Sequence, residues 1–132
     1  MDASLPDMLR NKEAVATVAV NDLAAGRKFY EETLGLKVVD ATGGEAVTFQ
    51  SGSARLMVYR SQFAGTNRAT AVNFFVGADI DSIVKSLAGK GVVFEHYDLP
   101  GLTRRGDIHE FGAMKTAWFK DPDGNILSLV NV

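Results

Sequence analysis

The stretch Phe119–Val130, FKDPDGNILSLV, places a turn-forming sequence between two apolar runs near the end of the chain. Its proline fixes φ for a turn, its glycine allows positive φ, and its Asp and Asn side chains bond to nearby backbone groups. A calcium loop starting at Asp121 would need Gly at its sixth position and Glu at its twelfth, but Ile126 and Val132 stand there. The stretch therefore predicts a β-hairpin and not a calcium site.

The composition excludes several classes of protein. The 132 residues are 46% hydrophobic and 23% charged, which is typical of one soluble globular domain spanning residues 1–132. A net charge of −2 gives no electrostatic basis for binding nucleic acid or an anionic membrane. The chain has no cysteine, which excludes disulfides and cysteine metal sites. Because neither a signal-peptide core nor a run of membrane-span length is present, we expect a cytoplasmic protein.

Two pairs of segments resemble each other, which indicates an internal repeat. Residues 17–39 and 72–94 each read as a strand, a helix that starts near an Asp, a glycine stop and a second strand. Residues 47–59 and 117–130 each read as a hairpin. The two pairs follow one another in the same order, so the chain has the pattern of a duplicated unit.

This repeat predicts an α+β fold of two βαβββ modules, at about residues 13–60 and 69–131. Phe49 of the first module matches Phe119 of the second, and the larger spacing in the second half implies a longer loop there. A sheet covered by one helix leaves its other face open. We therefore expect two curved mixed sheets around a shared concave cavity.

Alternation along the predicted strands separates an apolar face that packs on the helices from a mixed face that lines the cavity. The predicted ligand contacts on the mixed face are Thr17, Tyr59, Asn73, Phe75, Trp118 and Ser128. Aromatic walls with a few polar groups suit a small, partly aromatic or apolar ligand. Two alternatives stay open: Asn73 and Ser128 can bond a neighbouring strand or water, and Trp118 can be an interface or packing residue.

The stretches VNDLAAGRKFYEETLGL at 20–36 and FKDPDGNILSL at 119–129 resemble the vicinal oxygen chelate superfamily. This group contains glyoxalases, bleomycin-resistance proteins and extradiol dioxygenases. The resemblance covers nearly the whole chain and implies the same duplicated fold. It also implies, for the enzymes of the group, one divalent metal held in the concave cavity by His and carboxylate ligands from four strands, where it acts as a Lewis acid.

The four ligand positions that the resemblance implies are occupied by residues that do not suit a divalent metal. They fall at Val15, Met57, Ala71 and Ser128. Their immediate neighbours in the sequence are neither His nor acidic, so an alignment shifted by one residue does not restore the site. Only a serine among the four carries an oxygen, and a serine hydroxyl is a very poor ligand. We expect no metal and no cofactor at this position.

The two histidines of the chain, His96 and His109, lie in the segment 94–115, which we predict to be a long irregular loop. Such loops often form lids or binding loops. The possible mouth or lid residues are His96, Arg104, Arg105 and His109. The arginines can counter an anionic ligand, and the histidines, with nearby acids, are candidates for a relocated metal site, although their spacing matches no known ligand motif.

Together these features predict a metal-free small-molecule-binding protein that resembles the bleomycin-resistance and antibiotic-sequestering proteins. The resemblance also implies a homodimer. A first alternative is an enzyme of the same superfamily, a lyase, isomerase or dioxygenase, that uses a relocated metal or acid–base catalysis by His96 and His109. A second alternative is an interaction domain whose concave face docks a protein partner.

Overall fold

The computed structural model describes residues 9–41 and 43–132. The first half of this described chain contains β1 (Ala16–Val20), α1 (Leu23–Lys28), β2 (Lys37–Asp40), β3 (Ala46–Ser51) and β4 (Ala54–Arg60). A wider π-helical turn, Phe29–Thr33, extends α1. The strands form sheet A in the order β1-β4-β3-β2, in which β1 runs parallel to β4 and the other neighbours are antiparallel.

The second half contains β5 (Thr70–Phe75), α2 (Ile80–Gly89), β6 (Phe94–Glu95), β7 (Thr103–Arg105), β8 (Ile108–Phe111), β9 (Met114–Lys120) and β10 (Ile126–Val130). A 3-10 turn, Gly77–Asp79, precedes α2. Sheet B has the order β5-β10-β9-β8-β7, and β6 also pairs with β9. Because β5 runs parallel to β10, sheet B repeats the plan of sheet A, which confirms the predicted α+β fold of two βαβββ units.

The register of the two sheets confirms the match between Phe49 and Phe119. Phe49 lies opposite Leu56 across the β3–β4 hairpin, and Phe119 lies opposite Leu127 across the β9–β10 hairpin. Both phenylalanines are fully buried. The buried residues of the two sheets belong to one hydrophobic cluster, so the two units share a core on the helix side of the sheets.

The segment 94–115 is not the long irregular loop that we expected. It contains β6, the β7–β8 hairpin and the start of β9. Gly106 and Gly112, with φ of 64° and 59°, make the turns at either end of β8, and Ile108 packs into the core. The larger spacing in the second half therefore holds an added hairpin, whose edge strand β7 carries two arginines, and charged side chains on edge strands prevent pairing with other chains.

The start of α1 follows the predicted capping pattern. The Asp22 carboxylate accepts hydrogen bonds from the backbone N–H groups of Ala24 and Ala25, at 3.0 and 3.2 Å, which satisfies donors that have no partner within the helix. Gly26 faces β1, where a Cβ atom would lie 3.0 Å from each γ carbon of Val20. The helix therefore packs on sheet A more closely than an alanine at this position would allow.

The turn of the β9–β10 hairpin is built around a buried carboxylate, that of Asp121. Its Oδ1 accepts from the backbone N–H groups of Asp123 and Asn125, at 3.0 and 2.9 Å. Its Oδ2 accepts from the Tyr30 hydroxyl at 2.8 Å and from Nδ2 of Asn125 at 2.7 Å. The predicted turn is confirmed, and the carboxylate that suggested calcium is held by hydrogen-bond donors.

The same turn also connects the two sheets. Nδ2 of Asn125 donates to the carbonyl oxygen of Ala19 in β1 at 2.7 Å. Oδ1 of Asp123 accepts from the backbone N–H of Asn21 at 3.1 Å. With the bond from Tyr30, these contacts link α1 and β1 of the first unit to the last hairpin of the second.

No helix in residues 9–41 and 43–132 has the length and the apolar character that crossing a membrane requires.

Replacing Tyr30 by Phe is expected to lower the free energy of unfolding by about 2 kcal/mol near neutral pH, because it removes a hydrogen bond to a buried carboxylate. Burial, and then the negative charge of Asp121, raise the pKa of Tyr30 above its ordinary value of 10.0. The wild-type protein should therefore lose stability as the pH rises above that value, where the unfolded chain ionises this phenol and the folded chain does not.

Urea unfolding near neutral pH and at several values up to about pH 11 measures both effects. Tyr59→Phe is the matched control, because Tyr59 lies in β4 with its side chain 38% exposed. The stability of Tyr30→Phe should fall less at alkaline pH than that of the control. Equal alkaline losses in the two variants would contradict the role given to Tyr30.

Candidate ligand-binding site

The candidate site lies on the face of sheet B that points away from α2. Ala117 and Phe119 of β9 are fully buried in the core, and Trp118 between them points to the opposite face. Trp118 pairs with Ser128 of β10 on one side and with Glu95 of β6 on the other. This alternation was predicted from the sequence, because successive side chains of a strand point to opposite faces.

Two aromatic rings contact Trp118 edge to face. The ring centroids of Tyr97 and Trp118 are 5.1 Å apart at 80°, and those of His109 and Trp118 are 5.0 Å apart at 70°. These are favourable geometries for aromatic pairs. The three residues come from β9, from β8 and from the chain just after β6, so the pairing of these strands brings together side chains that are distant in sequence.

His109 is buried within this aromatic group. Its Nε2 accepts a hydrogen bond from the backbone N–H of Tyr97 at 3.0 Å, which assigns the remaining ring hydrogen of the neutral form to Nδ1. That Nδ1 is buried and has no hydrogen-bond partner among the described residues. Burial lowers the pKa of His109 below its ordinary value of 6.5, and the nearby charges of His96 and Arg104 lower it further. The surroundings of the ring therefore disfavour its charged form.

A cavity of about 530 Å³ opens beside Trp118. Its lining includes Arg68, Thr70, Glu95, Tyr97, Trp118 and Lys120. Trp118 and Tyr97, whose rings meet edge to face, form an aromatic wall, and charged side chains lie beside it. The side chains of Lys120 and Glu95 form an ion pair, with Nζ 3.5 Å from Oε1. This volume lies within the range of roughly 300–1,000 Å³ that small-molecule pockets occupy.

One wall of the cavity comes from the segment that joins β4 to β5. Gly65 lies against the β9–β10 turn so closely that a Cβ atom on it would be 1.8 Å from the carbonyl oxygen of Asp123. Gly65 also has a φ of 71°, which favours glycine. The joining segment is therefore fixed against the turn, and it covers one end of the open face of sheet B.

A second cavity of about 350 Å³ lies on the other side of Tyr97, lined by His96, Tyr97, Asp98, Leu102 and Arg104. Nε2 of His96 is 2.7 Å from Oδ1 of Asp107. This His–Asp pair is partly exposed at the cavity, and its geometry suits proton transfer by the imidazole.

Trp118 alone of the six predicted ligand contacts lines the 530 Å³ cavity. Asn73 and Ser128 are paired in register across β5 and β10, and the Ser128 hydroxyl donates to the Asn73 amide oxygen. Phe75 lies exposed at the end of β5. Thr17 and Tyr59 lie on sheet A, and the Thr17 hydroxyl donates to the carbonyl oxygen of Val15 at 3.2 Å.

The four residues predicted at the mouth lie in or beside the β7–β8 hairpin and not in a loose lid. His109 is fully buried in β8, opposite Arg104 of β7. Arg104 and His96 line the 350 Å³ cavity. Arg105 forms an ion pair with Glu110, with Nε 3.0 Å from Oε1, so its charge is partly neutralised.

Among the described residues that line the 530 Å³ cavity, only Trp118 was predicted, and the residues missed include Tyr97 and Arg68. Strand alternation could have predicted Tyr97. It follows Glu95 by two residues, so its side chain continues on the same face as that of Glu95 in β6. Arg68 lies between the two predicted modules. Nothing in the sequence shows that the joining segment folds onto the face of sheet B.

The residues at the four family metal positions do not fit a metal. Val15, Met57 and Ala71 offer no ligand atom except a thioether, and the Ser128 hydroxyl is buried and donates to Asn73. Within residues 9–41 and 43–132, no three His, Cys, Asp or Glu side chains are grouped so that they can hold a metal ion. No chemical step at these positions can therefore be assigned to a metal.

The paired βαβββ units, each with one helix on one face and an open face opposite, define a class of duplicated α+β proteins. The family model of the Glyoxalase/Bleomycin resistance protein/Dioxygenase superfamily matches residues 14–129 of the chain. The chain belongs to this superfamily, as the resemblance of its motifs predicted. A search of curated proteins gave no significant match to the sequence.

Solved structures with the same fold include an integron cassette protein, a lyase and an antibiotic resistance protein. An integron cassette protein from the Halifax Harbour sewage outfall metagenome is 18% identical, with a TM-score of 0.69 over 92% of this chain and 99% of that one. Lactoylglutathione lyase from Agrobacterium tumefaciens is 19% identical, with a TM-score of 0.67 over 91% and 92%. The fosfomycin resistance protein FosX from Mesorhizobium loti is 16% identical, with a TM-score of 0.67 over 95% and 94%. At these identities the likeness shows the fold alone.

Replacing His109 by Gln is expected to reduce the loss of stability in acid. Because burial lowers the pKa of His109, the unfolded chain binds a proton near the ordinary value while the folded chain does not. Wild-type stability is therefore fully present above that value and falls as the pH drops through it toward the folded-state pKa. Glutamine retains an acceptor for the Tyr97 N–H and removes the titration.

Denaturant unfolding near neutral pH and near pH 5 measures this difference. His96→Gln is the control, since it removes the other, exposed histidine. The stability lost between the two pH values should be smaller in His109→Gln than in wild type and in the control. A loss in His109→Gln as large as in wild type would refute the buried neutral histidine.

Proposed function

We propose that this protein binds a small, partly aromatic or apolar molecule in the cavity beside Trp118, and that it does so without a metal ion. The observation that carries the proposal is the aromatic wall that Trp118 and Tyr97 form on a cavity of about 530 Å³. Aromatic side chains with a few polar groups around them are typical of small-molecule sites. The mismatch at the four family metal positions supports binding rather than metal-assisted turnover.

The proposed role is sequestration, similar to that of bleomycin-resistance proteins. The superfamily to which the chain belongs includes such proteins, and one protein of the same fold is described as a fosfomycin resistance protein. In this role the protein lowers the free concentration of its ligand and breaks no bond. A single domain over residues 1–132 is part of the proposal, and the cytoplasmic location stays a prediction from the sequence.

We also propose a homodimer. Apolar side chains are exposed on the open faces of both sheets: Val15 and Tyr59 are each 38% exposed, and Phe75 is 73% exposed. Contiguous exposed apolar surface is common at interfaces between subunits.

A second candidate function is acid–base catalysis without a metal. The observation that favours it is the His96–Asp107 pair, at 2.7 Å, beside the 350 Å³ cavity. A carboxylate that orients an imidazole is a common arrangement for a general base. The two candidates differ in the fate of the ligand: a binding protein returns the compound unchanged after long incubation, and an enzyme returns a product.

Replacing Trp118 by Ala should weaken the binding of N-phenyl-1-naphthylamine by about tenfold or more, because it removes the larger part of the aromatic wall. The probe's own fluorescence measures its binding, and circular dichroism reports whether the variant is folded. Trp118→Phe should retain part of the affinity, since it keeps an aromatic ring.

Phe75→Ala is the matched control, because Phe75 is a large exposed aromatic residue of the same sheet that does not line the cavity. Its affinity for the probe should be close to that of wild type. An equal loss in Phe75→Ala and Trp118→Ala would place the probe elsewhere on the open face. Loss of the folded circular dichroism spectrum in Trp118→Ala and in Trp118→Phe would show that Trp118 is a structural residue.

The protein should retain less than one equivalent of metal after dialysis against Ni²⁺, Zn²⁺, Fe²⁺ or Mn²⁺, and chelators should leave probe binding unchanged. Elemental analysis of the dialysed protein measures the metal. The variant that combines Val15→His, Met57→Glu, Ala71→His and Ser128→Glu should gain metal affinity if these are the family's ligand positions. Stoichiometric metal in the wild-type protein would overturn the metal-free assignment.

A further inference from the structure

We infer that the ligand of the cavity beside Trp118 carries an anionic group, a carboxylate or a similar acid on an aromatic framework, and that Arg68 binds this group. The inference rests on the proposed function and specifies its ligand. Among residues 9–41 and 43–132, three charged side chains line the cavity, those of Arg68, Glu95 and Lys120. Their sum leaves one positive charge on the cavity wall.

The positive charge that remains belongs to Arg68. Lys120 and Glu95 pair with each other at 3.5 Å, so each charge is offset by the other. The Arg68 guanidinium has no hydrogen bond and no ion pair with any residue in the described part of the chain. A guanidinium offers a planar set of donors that matches the two oxygens of a carboxylate. An acidic group on the ligand would give Arg68 the partner that the protein does not supply.

The backbone around Arg68 is held by local contacts, so the Cα atom of Arg68 has a defined position at the cavity. Gly65 is pressed against the carbonyl of Asp123. The Thr66 hydroxyl donates to the carbonyl of Phe63 at 2.8 Å, and the Asn67 side chain accepts from the backbone N–H of Ala69 at 3.1 Å. Such local bonds hold a segment in one conformation, which reduces the entropy that binding must cost.

The aromatic wall and the Arg68 guanidinium line the same cavity but recognise different parts of a ligand. Trp118 and Tyr97 attract a flat ring system whatever its charge, since stacking and apolar burial do not depend on a formal charge. Arg68 discriminates between an acid and a neutral analogue with the same rings. The residue is therefore a determinant of specificity, and the aromatic pair is a determinant of affinity.

Two fluorescent probes with the same ring skeleton test this assignment. 8-Anilinonaphthalene-1-sulfonate carries a sulfonate, and N-phenyl-1-naphthylamine has the same rings without it. Trp118 is the only tryptophan of the chain, so energy transfer from its emission to either probe reports binding near this cavity. We expect the wild-type protein to bind the sulfonate more tightly than the neutral compound at low salt.

Arg68→Gln should weaken binding of the sulfonate by about fivefold and leave the neutral probe unchanged, because an exposed charge pair contributes modestly. It should also reduce the dependence of sulfonate binding on salt. Arg27→Gln is the control for net charge, because Arg27 lies on α1, where it pairs with Glu31, and does not line the cavity. It should alter neither affinity.

The outcomes separate the inference from the proposed function. If wild type binds both probes equally, or if Arg68→Gln weakens both to the same degree, the acid-binding role is wrong and the proposed small-molecule site stands. An equal effect of Arg27→Gln on the sulfonate would reduce the role of Arg68 to general charge and overturn the inference. If neither probe binds the wild-type protein, the proposed function fails and the inference fails with it.

Discussion

The buried carboxylate of Asp121 is the constraint on which the arrangement of the two sheets depends. Removing a charge from water is costly unless hydrogen bonds replace its hydration. Here four donors supply that replacement, and the Tyr30 hydroxyl among them comes from the first unit of the duplicated fold. Asn125, which bonds the carboxylate, also bonds the carbonyl of Ala19 in β1. The hydrogen bonds of the turn are therefore complete only when both units are packed together. The packing of the units and the folding of the hairpin depend on each other for this reason.

The same turn sets the position of the candidate site. The carbonyl of Asp123 is the surface against which Gly65 packs, and Gly65 is followed by the segment that carries Arg68. Trp118 lies on the strand that enters the turn. A displacement of the turn would therefore move the aromatic wall and the guanidinium together. The site depends on the contact between the units, although all its aromatic residues belong to the second unit.

The sequence predicted what depends on local periodicity and did not predict what depends on distant contacts. Alternation placed Trp118 on the open face of sheet B, and the repeat matched Phe49 to Phe119. The bond between Tyr30 and Asp121 joins residues that are 91 positions apart, and no local pattern indicates such a pair. The position of Arg68 against sheet B is also a long-range effect. The β7–β8 hairpin was missed because the larger spacing in the second half was interpreted as a longer loop, although it contains two additional short strands.

The two copies of the repeat have diverged in the row of side chains where the site lies. In sheet B this row runs through Asn73, Ser128 and Trp118, and its equivalent in sheet A runs through Thr17, Met57 and Thr48. Asn73 and Ser128 form a hydrogen bond with each other, so neither polar side chain needs a metal ion as its partner. A threonine in sheet A stands where sheet B has its tryptophan. The two open faces therefore differ at this position, where sheet B carries the indole ring of Trp118 and sheet A carries the small polar side chain of Thr48. Sheet B therefore combines an aromatic side chain and a hydrogen-bonded polar pair in this row, and none of the three is a good ligand for a divalent metal.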